Sequence, residues 1–137
     1  TAAQSNSCNG EIMILPVKRN SDGKQMFLAL QSVPFGPNRA NVGIYFKALE
    51  SLNDYFTPKA FASNWTGKKQ ISQIGSAYST MVWQKDNKVG FFYEESTYGA
   101  DYTNVYKALT LEEITDDAFS YDATVKRPTE DANAIIK

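Results

Sequence analysis

Histidine is absent from the 137 residues and cysteine occurs once, as Cys8. Without histidine the chain lacks the commonest zinc ligand and the commonest general base, so serine-histidine and cysteine-histidine hydrolase mechanisms are excluded within it. No metal and no cofactor is expected. Acid-base chemistry falls to Asp, Glu, Lys or Tyr, or to groups from outside the chain. A single cysteine excludes an internal disulfide framework. A surplus of positive charge is also missing: 14 Lys and Arg face 15 Asp and Glu, which argues against nucleic acid as a partner. No apolar run approaches the ~20 residues of a membrane-spanning helix, and no signal-like segment opens the chain, so no membrane association is expected. The start at Thr1 instead of Met suggests a processed product, a trimmed chain or a fragment of something longer.

What is present is a composition fit for a core, with 42% hydrophobic and 13% aromatic residues, which argues against disorder. The expected unit is a single domain or part of one. Short stretches of β-branched and aromatic residues recur between turn formers, and no long segment keeps a helical period. The pattern predicts an all-β chain, with strands at Glu11–Leu15, Lys24–Gln31, Asn41–Ala48, Gln70–Ile74, Ala77–Gln84, Val89–Glu94 and Asn104–Thr110. Turns are expected at Asn20–Gly23, Gly36–Asn38, Lys85–Lys88 and Tyr98–Asp101. About seven strands fit a sandwich, a barrel or the blades of a propeller, and are too few to close a propeller. The stretch Leu111–Thr115 reads as one helical turn or a strand end, and residues 122–137 as a polar surface tail.

Tyr78 stands among small polar neighbours in Gly75-Ser76-Ala77-Tyr78-Ser79-Thr80-Met81. By composition alone it is an ordinary half-buried strand tyrosine. Together with Lys88-Val89-Gly90-Phe91-Phe92-Tyr93-Glu94-Glu95, however, this run resembles the last catalytic stretch of the sialidase family. Upstream, Cys8-Asn9-Gly10-Glu11-Ile12 is similar to the strand that follows the family's central acidic residue. Asn38-Arg39-Ala40-Asn41-Val42-Gly43-Ile44-Tyr45 is similar to the strand bearing its third substrate-binding arginine. Downstream, Val105-Tyr106-Lys107 and Leu111-Glu112-Glu113-Ile114-Thr115 resemble the final blade of bacterial, Bacteroides-like members. The likeness runs in order from Cys8 to Tyr121.

The resemblance implies the C-terminal blades, about two, of a six-bladed β-propeller that removes terminal α-linked sialic acids from glycoconjugates. It implies a secreted, periplasmic or cell-surface setting. Tyr78 then corresponds to the nucleophile, Arg39 to the third member of an arginine triad, and Glu94 to the acid that holds the first arginine in place. Sialidases are an exception to the two-carboxylate rule of glycosidases. Sialic acid carries a carboxylate on its anomeric carbon, so an attacking Asp or Glu would meet like charge where a neutral phenol does not. A phenol, with an ordinary pKa of about 10, needs a base beside it; in the family that base is a glutamate lying before this segment. Arg39 would grip the substrate carboxylate with a planar, permanently charged fork. The bland reading of Arg39 is a solvated hairpin charge, and that of Glu94 an exposed strand-end carboxylate. Glu95 is its adjacent rival.

The chain departs from the family where earlier blades would supply two arginines, an acid-base aspartate and the tyrosine's glutamate partner. Alone it is expected to be inactive and to pack against an N-terminal portion of the same propeller. No intact Asp-box is present, and Glu50-Ser51-Leu52-Asn53-Asp54-Tyr55 occupies the place of a degenerate one. The rival readings are a non-catalytic sialoside-binding or interaction module, and a trans-sialidase that passes the sugar to another sugar. Asn64-Trp65-Thr66 fits a glycosylation acceptor, a tripeptide that chance often supplies.

Overall fold

In the computed structural model, which describes residues 10–96 and 102–126, the alternating stretches pair into two antiparallel sheets. Strands β1 (Ile12–Arg19), β2 (Gln25–Pro34), β3 (Val42–Leu49) and β4 (Gly67–Gln70) form a meander. The short β8 (Phe119–Tyr121) joins its β1 edge, giving the order β4-β3-β2-β1-β8. Strands β5 (Ser76–Trp83), β6 (Val89–Ser96) and β7 (Tyr102–Leu109) form a second, three-stranded meander. Two short helices, α1 (Pro58–Phe61) and α2 (Leu111–Thr115), lie in the connections. The all-β expectation holds.

Local chemistry explains the joins. The β1–β2 hairpin turns through Gly23, whose φ of +72° suits a residue without Cβ. The β5–β6 hairpin turns through Asn87 at φ 61°, a left-handed conformation that asparagine tolerates. At Leu111–Thr115 the helix forms. The Thr110 side chain accepts from the Glu113 N–H at 3.1 Å, and Glu112 and Glu113 lie in the first turn, where the helix dipole favours acids. Leu111 and Ile114 then bury against the sheets. The segment Glu50–Tyr55 contains a 3-10 turn in which the Asp54 carboxylate accepts from the Glu50 and Ser51 N–H groups, each at 2.9 Å.

Strands β1 and β2 run on past their expected ends at Leu15 and Gln31 to Arg19 and Pro34, β4 is displaced, and β8 was not expected. The strand expected at Gln70–Ile74 lies instead at Gly67–Gln70, where Tyr45 pairs Lys68 and Phe46 pairs Gly67. Past Gln70 the N–H groups of Ile71 and Ser72 both turn to the Val42 carbonyl, which ends the ladder. Strand β8, three residues long, is too short to leave a period in the sequence. The turn expected at Tyr98–Asp101 and the tail beyond Lys126 lie outside the described residues.

The core sits between the sheets, where β2 faces β5. Leu15, Val17, Leu28, Leu30, Val42, Ile44 and Phe46 from one sheet meet Met81, Val89, Phe91 and Tyr93 from the other, closed at one end by Leu111, Ile114 and Phe119. A polar seam crosses the same interface, where the buried Ser79 hydroxyl donates to Ser32 Oγ at 2.8 Å.

Candidate functional site

Strand β5 alternates cleanly from Ser79 onward, with Ser79 and Met81 inward and Thr80 and Val82 outward. Its start breaks the alternation, because Ser76 and Ala77 are both buried. The register gives the reason: Ser76 opposes Glu95 and Ser79 opposes Tyr93, so β5 carries one extra residue against β6. Such a β-bulge re-aims a side chain and is common beside functional sites. Here it turns Tyr78 outward, with 42% of the residue exposed.

Arg39 comes from the loop joining β2 to β3, which bends through Gly36, Asn38 and Asn41, all at positive φ. The loop is tied to the start of β5. The Ser76 N–H donates to the Arg39 carbonyl at 2.8 Å, the Asn41 N–H to the Ile74 carbonyl at 3.0 Å, and Ala40 bridges Gly75. The Arg39 guanidinium carbon then lies 5.5 Å from the centroid of the Tyr78 ring. That is cation–π range, and the pairing places a permanent positive charge beside the phenol.

Glu94 is half-buried on β6 opposite Asn104. It shares with Tyr78 an open cavity of about 320 Å³, also lined by Ser79, Thr80, Phe92, Tyr93 and Asn104. The neighbouring Glu95 points the other way, and its Oε2 accepts from the buried Ser72 hydroxyl at 2.9 Å. Burial first, then the Glu95 charge and its hydrogen bond, push the Tyr93 phenol above its usual value. Tyr93, 3% exposed, is thereby a neutral packing group, and Glu95 is engaged inside. Of the two adjacent glutamates, Glu94 faces the cavity.

The three residues singled out by sequence, Arg39, Tyr78 and Glu94, are thus neighbours at one end of the three-stranded sheet. Sequence reasoning passed over what sets them there: the buried serines Ser32, Ser72, Ser76 and Ser79, and Glu11, whose carboxylate accepts from Thr80 Oγ1 at 2.5 Å. For Ser32, Ser76 and Ser79 the only signal was a small polar residue at an inward strand position, which sequence does not separate from loop serines such as Ser72. Chemically, the cavity offers a reachable phenol and a carboxylate, and the Arg39 cation lies against the Tyr78 ring. Among the described residues no group of three or more His, Cys, Asp or Glu could hold a metal ion. Cys8 lies outside the described residues. No protein-family model matches this chain, and no curated protein matches it.

Proposed function

We propose that the chain is the C-terminal part of an exo-sialidase, acting on terminal α-linked sialic acids with Tyr78 as nucleophile. The observation that carries the reading is the stacking of Arg39 on Tyr78, with Glu94 in the cavity that Tyr78 lines. The residues come from a loop, a bulge and a neighbouring strand, and all three were picked by resemblance to one family. In this reading the Tyr78 oxygen bonds to the anomeric carbon as the glycosidic bond breaks. A base outside this chain takes the phenol proton, and the departing oxygen gains one from an acid, also outside the chain. Water then displaces tyrosine, restoring the phenol and releasing sialic acid with net retention. Arg39 pairs with the substrate carboxylate, and Glu94 holds a further arginine from an earlier blade.

The propeller reading is supported by topology. Two consecutive antiparallel meanders, four strands and then three, stack face to face, as successive blades do. Strand β8, which pairs with β1 over three residues, is an addition to that plan. Val82, Phe92, Tyr102 and Tyr106 lie exposed on the outward side of the three-stranded sheet. Outside the Tyr78–Glu94 cavity, exposed apolar side chains of this kind fit packing by the N-terminal portion of the same propeller. A secreted, periplasmic or cell-surface setting belongs to the same proposal.

The test is Tyr78→Phe in the complete protein. Loss of turnover of an aryl sialoside is the expected result, and near-normal turnover sinks the assignment. Retained sialoside binding by a wild-type protein that shows no turnover would favour the non-catalytic module, and transfer of the sugar to an added glycan acceptor would favour the trans-sialidase.

A further inference from the structure

We infer that Ser76 is a positioning residue that fixes the Arg39–Tyr78 pair. It is fully buried, at 0% exposure, and holds the Arg39 segment at two points. Its N–H donates to the Arg39 carbonyl at 2.8 Å, and its hydroxyl oxygen accepts from the Val42 N–H at 2.8 Å. The same hydroxyl donates to the Ile74 carbonyl at 3.1 Å, closing the turn that leads into β5. Two residues further on, the bulge presents Tyr78. One small side chain therefore sets the start of the nucleophile strand and the end of the arginine loop against each other.

Serine is required for a specific reason. The hydroxyl accepts and donates at once, and Val42 is 0% exposed, so an alanine would leave its N–H buried without a partner. The segment from Arg39 to Val42 would then move to find one, and the guanidinium would leave the Tyr78 ring. The importance of Ser76 for turnover rests on the sialidase reading. The geometry it sets is a property of this chain alone, so the experiment below is blind to substrate.

Ring current from Tyr78 displaces the Arg39 side-chain proton resonances, and Tyr78→Leu supplies the undisplaced reference. In Ser76→Ala the displacement is expected to fall most of the way to that reference. Ser79→Ala is the matched control: it removes a buried serine from the same strand, one bonded to Ser32 on β2 and not to the Arg39 segment. It is expected to lower thermal stability comparably and to leave the displacement intact. If Ser76→Ala does not fold, Ser76→Cys is read in the same way, since a thiol fills the space but accepts weakly; its displacement is expected between wild type and Tyr78→Leu. A wild-type displacement in a folded Ser76 variant, or an equal loss in Ser79→Ala, overturns the inference.

Discussion

The two sheets are built differently, and the site belongs to the thinner one. In the five-stranded sheet the middle strand β2 is buried on both faces. Leu28 and Leu30 point into the core, while Ala29 and Val33 are covered from outside. The cover is the segment around α1, whose Ala60 and Ser63 carbonyls accept from the buried Lys47 ammonium. A chain of rings through Phe35, Tyr45, Trp65 and Phe61 lies on the same outer side. The three-stranded sheet leaves its outer face open: on β6 Phe91 and Tyr93 are buried and Phe92 between them is exposed. Both faces are covered at β2, and the candidate cavity lies where the three-stranded sheet leaves one face open.

Phe91 and Phe92 test that contrast at adjacent positions. Phe91 is 0% exposed and Phe92 42% exposed. Phe91→Ala should cost about 3–5 kcal/mol, as for an aromatic cut from a packed core. Phe92→Ala should cost about 1 kcal/mol or less, since it loses little beyond its stacking on Tyr106. Urea denaturation of both variants measures the difference. Equal costs in the chain by itself would break the comparison, because the outer face would then be packed without the N-terminal portion proposed to cover it.

Lys47 tests the cover on the other sheet. A buried ammonium held by two backbone carbonyls is satisfied without a carboxylate. Lys47→Met keeps the stem but removes the donor, leaving those carbonyls to water or to a rearranged loop. A loss of about 1–3 kcal/mol is expected. Amide exchange in residues 57–66 should rise by more than in β5 or β6, and uniform acceleration across both sheets would refute a local clamp.

These differences decide how much was legible. Alternation marks a strand with one open face, so β5 and β6 were read to within two residues at each end. Strand β4 was misplaced because Ile71 and Ile74 lend a strand-like pattern to a segment whose N–H groups instead bind Val42 and the Ser72 hydroxyl. The α1 cover was missed because Thr57-Pro58, a sound helix start, opens a helix of only four residues. At the site, the residue types were legible by resemblance. The bulge that exposes Tyr78 was not, because a register shift belongs to two strands and is written in neither alone. The choice between Glu94 and Glu95 likewise rests on pairing, which decides the face.

The smallest effect separates the two hairpin turns by charge. In the β1–β2 turn the Arg19 fork binds Asp22 at 2.7 and 3.1 Å and reaches Glu50 at 3.1 Å, with Lys24 also on Glu50 at 2.9 Å. In the β5–β6 turn Asp86 and Lys88 are 4.0 Å apart. The Arg19 hydrogen bond first, then the Lys24 N–H, hold the Asp22 carboxyl at about 2 against an ordinary 3.8. Its folded pKa is lowered, so its stabilisation is present above pH ~4 and is lost as the pH falls through ~2. All these groups are solvent-exposed and screened, so the effect is small and should shrink with added salt. Urea midpoints of wild type and Asp22→Asn should differ most above pH ~4 and converge toward pH ~2. A wild-type advantage that does not change with pH would mean that the Arg19 fork does not hold Asp22, and would remove the contrast between the two turns.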